Sequence, residues 1–314
     1  MKKEKNGPEL LEDFFEGKAV FRPPFMLWST SLGPRVIKRS VMEQLSDPGL
    51  IATNVTQCFN LFSPDAIVMG FPDQFPLGAC ELSKNPVSVE LDQGSQMYMA
   101  LFEGVTRIGL TLKSQIALSV SLPGPLAFSE QIKQSLSIPQ MNDTAWGELL
   151  DGVAEILSKL TSLLLELDIS LITFIESLEA LHRIDNPTLT KINQLANTLS
   201  NIFSYHNKHM IMAVNDIPVD KDHLTTLEKF DQFDALLIDH KSCPQSFQGT
   251  RVVGVTIPAE LFNETVDLVE QRKAHRLFME DVSHRSSPLF LSTPQEISDQ
   301  FSLAALRAFC EVIK

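Results

Sequence analysis

The chain has 314 residues, 44% of them apolar and 21% charged, with a formal net charge of −13. That balance is close to the globular average and excludes disordered and fibrous classes. So much negative charge also makes nucleic acid and anionic membranes poor partners, and neither is expected.

The opening stretch "MKKEKNGPEL" has no apolar segment behind it, so no secretory signal is expected. The most apolar stretch, "LTSLLLELDISLITFIESL", is broken by Glu166 and Asp168 and falls short of the roughly 20 apolar residues that span a membrane. Cys58, Cys80, Cys243 and Cys310 lie far apart without a CxxC pair. Reduced thiols in a cytoplasm are the expected state.

Eight short apolar runs follow in order: 25–29, 65–70, 116–122, 169–176, 209–214, 234–239, 251–257 and 288–292. None alternates polar with apolar, as expected of strands buried on both faces in a parallel sheet. Helical spacing fills several intervals. Met97, Leu101, Val105, Ile108 and Leu112 precede the third run, and Leu149, Val153, Ile156, Leu160 and Leu164 the fourth. Leu189, Ile192, Leu195, Leu199 and Ile202 precede the fifth. Leu261, Val266 and Leu268 predict a helix after the seventh, and Leu303, Leu306 and Phe309 close the chain. Asp143–Thr144 and Asn186–Pro187 are helix starts, with a capping side chain followed by an acid or Pro. Buried strands alternating with helices predict a single-domain (β/α)₈ barrel over 25–314, with residues 1–24 as a helical N-terminal extension. A doubly wound nucleotide fold is disfavoured because no GxGxxG or GxxxxGK[ST] occurs.

In such a barrel the working groups lie at the C-terminal strand ends. That rule makes Asp73, Glu176 and Asp239 the candidate catalytic carboxylates, since crowded carboxylates can divide acid and base roles. The same rule makes Trp28, Thr30, Ser177, Asn215, Asp216, His240 and Thr293 candidate ligand contacts. The plain alternative is that these residues cap helices and tie down loops. His240 and Cys243 form an HxxC spacing, too little for a zinc site without further ligands. His206 and His209 fall at the opposite end of the barrel.

With the strands laid out, the order resembles the uroporphyrinogen decarboxylase superfamily. That group includes zinc methyltransferases serving corrinoid proteins or thiols, and it shares its fold with cobalamin-independent methionine synthase. "RPPFMLW" resembles the family's approach to the first strand, and "DAIVMGFPDQFPLGACEL" its second strand and the following segment. "SLPGPLAF" resembles its third-strand turn and "LLLELDISLITFIES" its fourth strand. "FDALLIDH" and "VVGVTIPAELF" are similar to the sixth and seventh. The family's Arg-Gln-Ala-Gly-Arg segment is "STSLGPR" here: Gly33 matches, Thr30 or Ser29 and Pro34 replace the arginines, and Arg35 is displaced. The charge-assisted clamps for a polycarboxylate are thereby lost. The family's pyrrole-binding Asp corresponds to Asp73 with a one-residue shift.

The zinc methyltransferases use a His-x-Cys at the fifth strand and a Cys after the last. Ala213, Asn215 and about Thr293 stand there, so no metal is expected. The resemblance implies a methyltransferase-like enzyme acting on a small molecule or corrinoid carrier without the usual zinc ligands. The alternatives are a non-catalytic ligand-binding or regulatory paralogue and, third, a decarboxylase with rearranged clamps. A corrinoid protein is a candidate partner, pairing of two copies is left open, and no cofactor is assigned.

Overall fold

A computed structural model of the chain describes residues 6–70, 75–84, 87–138, 140–214, 225–240, 252–285, 289–295, 297 and 300–313. Eight parallel strands close into a barrel, as expected of a (β/α)₈ fold. Around the barrel they are β1 (Phe25–Trp28), β2 (Ala66–Met69), β5 (Ala117–Pro123), β6 (Leu171–Glu176), β7 (His209–Val214), β8 (Ala235–Asp239), β9 (Val252–Thr256) and β10 (Leu289–Ser292). β10 closes on β1, pairing Leu291 with Phe25 and Ser292 with Met26. Two further strands, β3 (Cys80–Lys84) and β4 (Val87–Leu91), form an antiparallel hairpin outside the barrel.

The helices are α1 (Gly7–Phe15), α2 (Ser29–Val36), α3 (Val41–Leu45), α4 (Pro48–Phe62), α5 (Phe75–Gly78), α6 (Gln96–Leu112), α7 (Pro125–Ser135), α8 (Asp143–Leu165), α9 (Leu178–Arg183), α10 (Asn186–His206), α11 (Leu268–Ser283) and α12 (Leu303–Ile313). Among the described residues, no helix is long and apolar enough to cross a membrane. The predicted starts of α8 and α10 lie one residue inside the true caps. Asn142 accepts from the Ala145 N–H at 2.9 Å, and Asp185 from the Thr188 N–H at 2.9 Å. After β9 the chain makes a 3₁₀ turn, Ala259–Phe262, before α11 begins at Leu268. Val266 therefore precedes the helix that its spacing predicted. Asp267 caps that helix instead, accepting from the Val269 N–H.

The alternation of each strand divides the core in two. Leu27, Ile67, Leu118, Ile172, Met212, Leu236 and Val253 pack outward under the helices. Met26, Trp28, Ala66, Val68, Ala117, Leu171, Ile211, Ala213, Leu237 and Phe290 fill the barrel interior, and Leu11 and Phe14 of α1 join them. The N-terminal helix thus plugs the barrel floor. Phe14 meets Phe290 edge-on at 6.2 Å, and Phe15 stacks on His209 at 4.3 Å. Phe290 lies over Gly254, where any Cβ would clash with its ring. Arg22, in the segment joining α1 to β1, grips Asp65 through two parallel bonds of 2.5 and 2.8 Å, and the same carboxylate accepts from the Phe25 N–H.

Candidate functional site

Asp73, Asn215, Asp216 and Cys243 lie outside the described residues. The remaining candidates lie at the C-terminal strand ends, and alternation decides which of them face the mouth. On β8, Ala235 and Leu237 belong to the interior and Leu236 and Ile238 to the outer layer, so Asp239 continues the interior row. Val252 and Gly254 likewise lead to Thr256, which is the register partner of Asp239. Asp239, Thr256 and Thr30 are part-exposed at this rim.

Glu176 has the opposite parity. Leu171 and Ile175 point inward, Ile172 and Phe174 outward, and Glu176 follows Phe174. Its carboxylate accepts from the Leu126 and Ala127 N–H groups, both at 2.9 Å, at the start of α7. Those are amides that a helix leaves unpaired, at the positive end of its dipole. Gly124 makes room, since a Cβ there would run into the Glu176 carboxylate. Glu176 is 2% exposed. Glu176 and Asp239 therefore sit on opposite faces of strands separated by β7, and they do not form a facing acid–base pair.

The turn after β1 is tied to its neighbour by hydroxyls. Ser29 Oγ donates to the Val68 carbonyl at 3.2 Å and Thr30 Oγ1 to the Gly70 carbonyl at 2.5 Å. Ser121 Oγ, on β5, donates to the Met69 carbonyl at 3.3 Å. Beneath them a buried amide network supports the turn: Asn54 Nδ2 donates to the Ser29 carbonyl at 2.8 Å and to Gln44 Oε1 at 2.9 Å. Arg35 points elsewhere, with Nη1 donating to the Phe301 carbonyl at 2.8 Å.

Trp28 is buried at the barrel seam. Its backbone N–H donates to Thr293 Oγ1 and its indole Nε1 to Ser292 Oγ, both at 2.9 Å. Ser177 caps α9, accepting from the Ala180 N–H at 3.1 Å. His240 leans out toward α11. Its Nε2 lies 3.0 Å from Asp281 Oδ2 and 3.2 Å from Arg285 Nη2, with its ring 4.7 Å from that of Phe278. The Arg285 guanidinium bonded to Asp281 holds that carboxyl below the usual carboxylate range, with His240 adding to the effect. From sequence, Thr256 stands at the tip of its strand but is not among the candidate ligand contacts. The row Val252, Gly254, Thr256, read with the period of two, places it inward.

The described residues do not fit a zinc centre of the methyltransferase kind. Ala213 carries no donor atom, and the Thr293 hydroxyl accepts from the Trp28 amide. Among the described residues no group of three His, Cys, Asp or Glu is placed to hold a metal ion.

A methyltransferase from Methanosarcina mazei has the same fold. The two superpose with a TM-score of 0.73 at 13% identity, over 98% of each chain. A glycoside hydrolase-class enzyme targeting pectin rhamnogalacturonan II matches with a TM-score of 0.52 at 10% identity, over 98% of this chain and 41% of that one. No family model matches the sequence, and no curated protein matches it either. At these identities the likeness establishes the (β/α)₈ fold.

Proposed function

We propose that the chain is a methyltransferase-like barrel, a divergent relative of the uroporphyrinogen decarboxylase superfamily, that binds a small molecule in its C-terminal mouth. The full-length correspondence with a methyltransferase carries this reading. In this reading Asp239 holds or moves a proton there, and its register partner Thr256 on the neighbouring strand supports that reading. A zinc-bound thiolate has no part in the proposal, because Ala213 and Thr293 cannot supply one. A corrinoid protein is the candidate carrier, and reduced cysteines fit a cytoplasmic setting. Decarboxylation of a polycarboxylate draws no support, since hydroxyls bonded to backbone replace the clamping arginines and Arg35 turns to Phe301.

One observation favours a second reading, a binding paralogue without catalysis. Glu176, Ser177, His240 and Thr293 all make bonds that hold the fold together.

Methylcobalamin with a panel of thiols is the test. A change in the cobalamin spectrum that requires the protein and is lost in Asp239→Asn supports methyl transfer. Saturable binding without turnover supports the paralogue. If neither binding nor turnover appears with methylcobalamin, thiols, folates or porphyrins, the mouth is not a ligand site of this kind.

A further inference from the structure

A protrusion and a hollow lie side by side at the floor end of the barrel. α10 ends at His206, three residues before β7 begins at His209, so its last turns stand at the end opposite the mouth. Tyr205 there is 84% exposed, more than any other large apolar side chain among the described residues. Beside it is an open hollow of about 440 Å³, lined by Ser162 of α8 and by Thr198, Asn201, Ile202, Tyr205 and His206 of α10. The two helices lead into neighbouring parallel strands and so run in one direction, with their offset set by the Lys191–Asp151 ion pair at 2.7 Å. Eleven residues further along each, Ser162 stands level with Ile202.

Charge narrows what can cover this face. Two copies of a chain with a net charge of −13 repel one another, so a contact between them needs a face without excess acid. The lining of the hollow holds no carboxylate. On α8 its rim carries one charge of each sign: Lys159, three residues before Ser162, and Glu166, four residues after it. Both are exposed, and neither has an ion-pair partner among the described residues. Seven residues are almost two whole turns, so the two charges stand on the same side of the helix.

We infer that this face binds a second copy of the chain about a two-fold axis at the level of Ser162, with each Tyr205 seated in the other copy's hollow. The axis sets α8 and α10 antiparallel to their counterparts. Lys159 of each copy then faces Glu166 of the other, and each Tyr205 crosses Thr198 and Asn201 of the other. A knob and the hole that fits it on one face are what a closed two-fold contact requires. Burial of the tyrosine supplies the affinity, while the exposed ion pairs fix orientation more than they add strength. Only the last turns of two helices take part, well short of the roughly 800 Å² per side of a permanent pair, so the dimer is reversible and concentration-dependent. The mouth stays open at the other end, and the inference holds whatever binds there.

Sedimentation velocity of the full chain over about 1–200 μM tests this. The sedimentation coefficient should rise with concentration from that of a 35.0 kDa monomer. Tyr205→Glu should weaken association about tenfold or more, and Leu110→Glu, at another exposed position on α6, should leave it unchanged. Lys159→Glu and Glu166→Lys should each weaken self-association about fivefold, yet a mixture of the two should associate as the wild type does, because each copy then meets the opposite charges on the other. A monomer throughout, or association that Tyr205→Glu leaves intact, overturns the inference. A mixture that associates no better than its components overturns it too, since the contact then lacks the two-fold pairing.

Discussion

Glu176 illustrates how one side chain's neighbours decide its role. A carboxylate at a barrel strand end invites an acid–base assignment. Its two bonds to the α7 amides instead make it an internal cap across two strand ends. Replacing it with Gln turns one oxygen into an NH₂ group that faces an N–H donor, and removes the charge from the helix end. The loss should be about 2 kcal/mol, from a buried amide left without its acceptor and a weakened dipole interaction. Thermal unfolding should show a fall in Tm of about 3 °C. An unchanged Tm with ligand binding lost would return Glu176 to the chemistry. The sequence held the clue to this placement, since the inward row Leu171, Thr173, Ile175 excludes residue 176. The cap itself was not legible, because it depends on where α7 begins relative to β6.

At the scale of elements, the strands were the legible part. Eight buried runs announced the barrel to within about two residues, because a strand buried on both faces cannot tolerate charge inside it. The β3–β4 hairpin was missed. Its residues, "CELSK" and "VSVEL", alternate apolar with polar, as a ribbon with Leu82, Val89 and Leu91 turned to the core and its other face toward water allows. The apolar helix at "ELLEDFF" could be read as an extension packing on the barrel, but the end it closes could not. Only the closed barrel shows that Leu11 and Phe14 finish the interior from below. The Arg22–Asp65 pair that ties this segment down is mostly buried on both sides. Arg22→Ala leaves Asp65 with the Phe25 amide and no counter-charge, which should cost about 3 kcal/mol. Phe14→Ala empties part of the barrel floor and should cost about 3–5 kcal/mol. Denaturant unfolding measures both. If the plug is integral, each variant should unfold in one transition at lower denaturant. An early separate transition confined to α1 would show the helix to be a loose appendage.

For the molecule as a whole, the pH response follows from one buried imidazole more than from the −13 net charge. His275 is fully buried among Phe262 and Phe309, at ring distances of 5.9 and 5.2 Å. Its Nε2 donates to the Leu261 carbonyl at 2.9 Å, and its buried Nδ1 has no partner among the described residues. Burial pushes its pKa below the ordinary histidine value, against a smaller opposing effect of the Leu261 bond. Above about pH 7 the ring is neutral in folded and unfolded chains alike, and stability is level. As pH falls through about 6.5 the unfolded chain takes up a proton that the folded one resists, so stability declines toward the lower folded value. Asp281 adds a second loss only near and below about pH 4. Its folded value is also lowered, so its contribution stands above that range, and the exposure of its side chain keeps it small. Melting temperatures from pH 8 to 5.5, above the pI of about 5.0, should therefore be flat and then fall below 6.5. His275→Gln keeps a donor for Leu261 without the titration and should flatten that fall. The same slope in wild type and variant would place the acid sensitivity outside the Phe262–Phe309 nest.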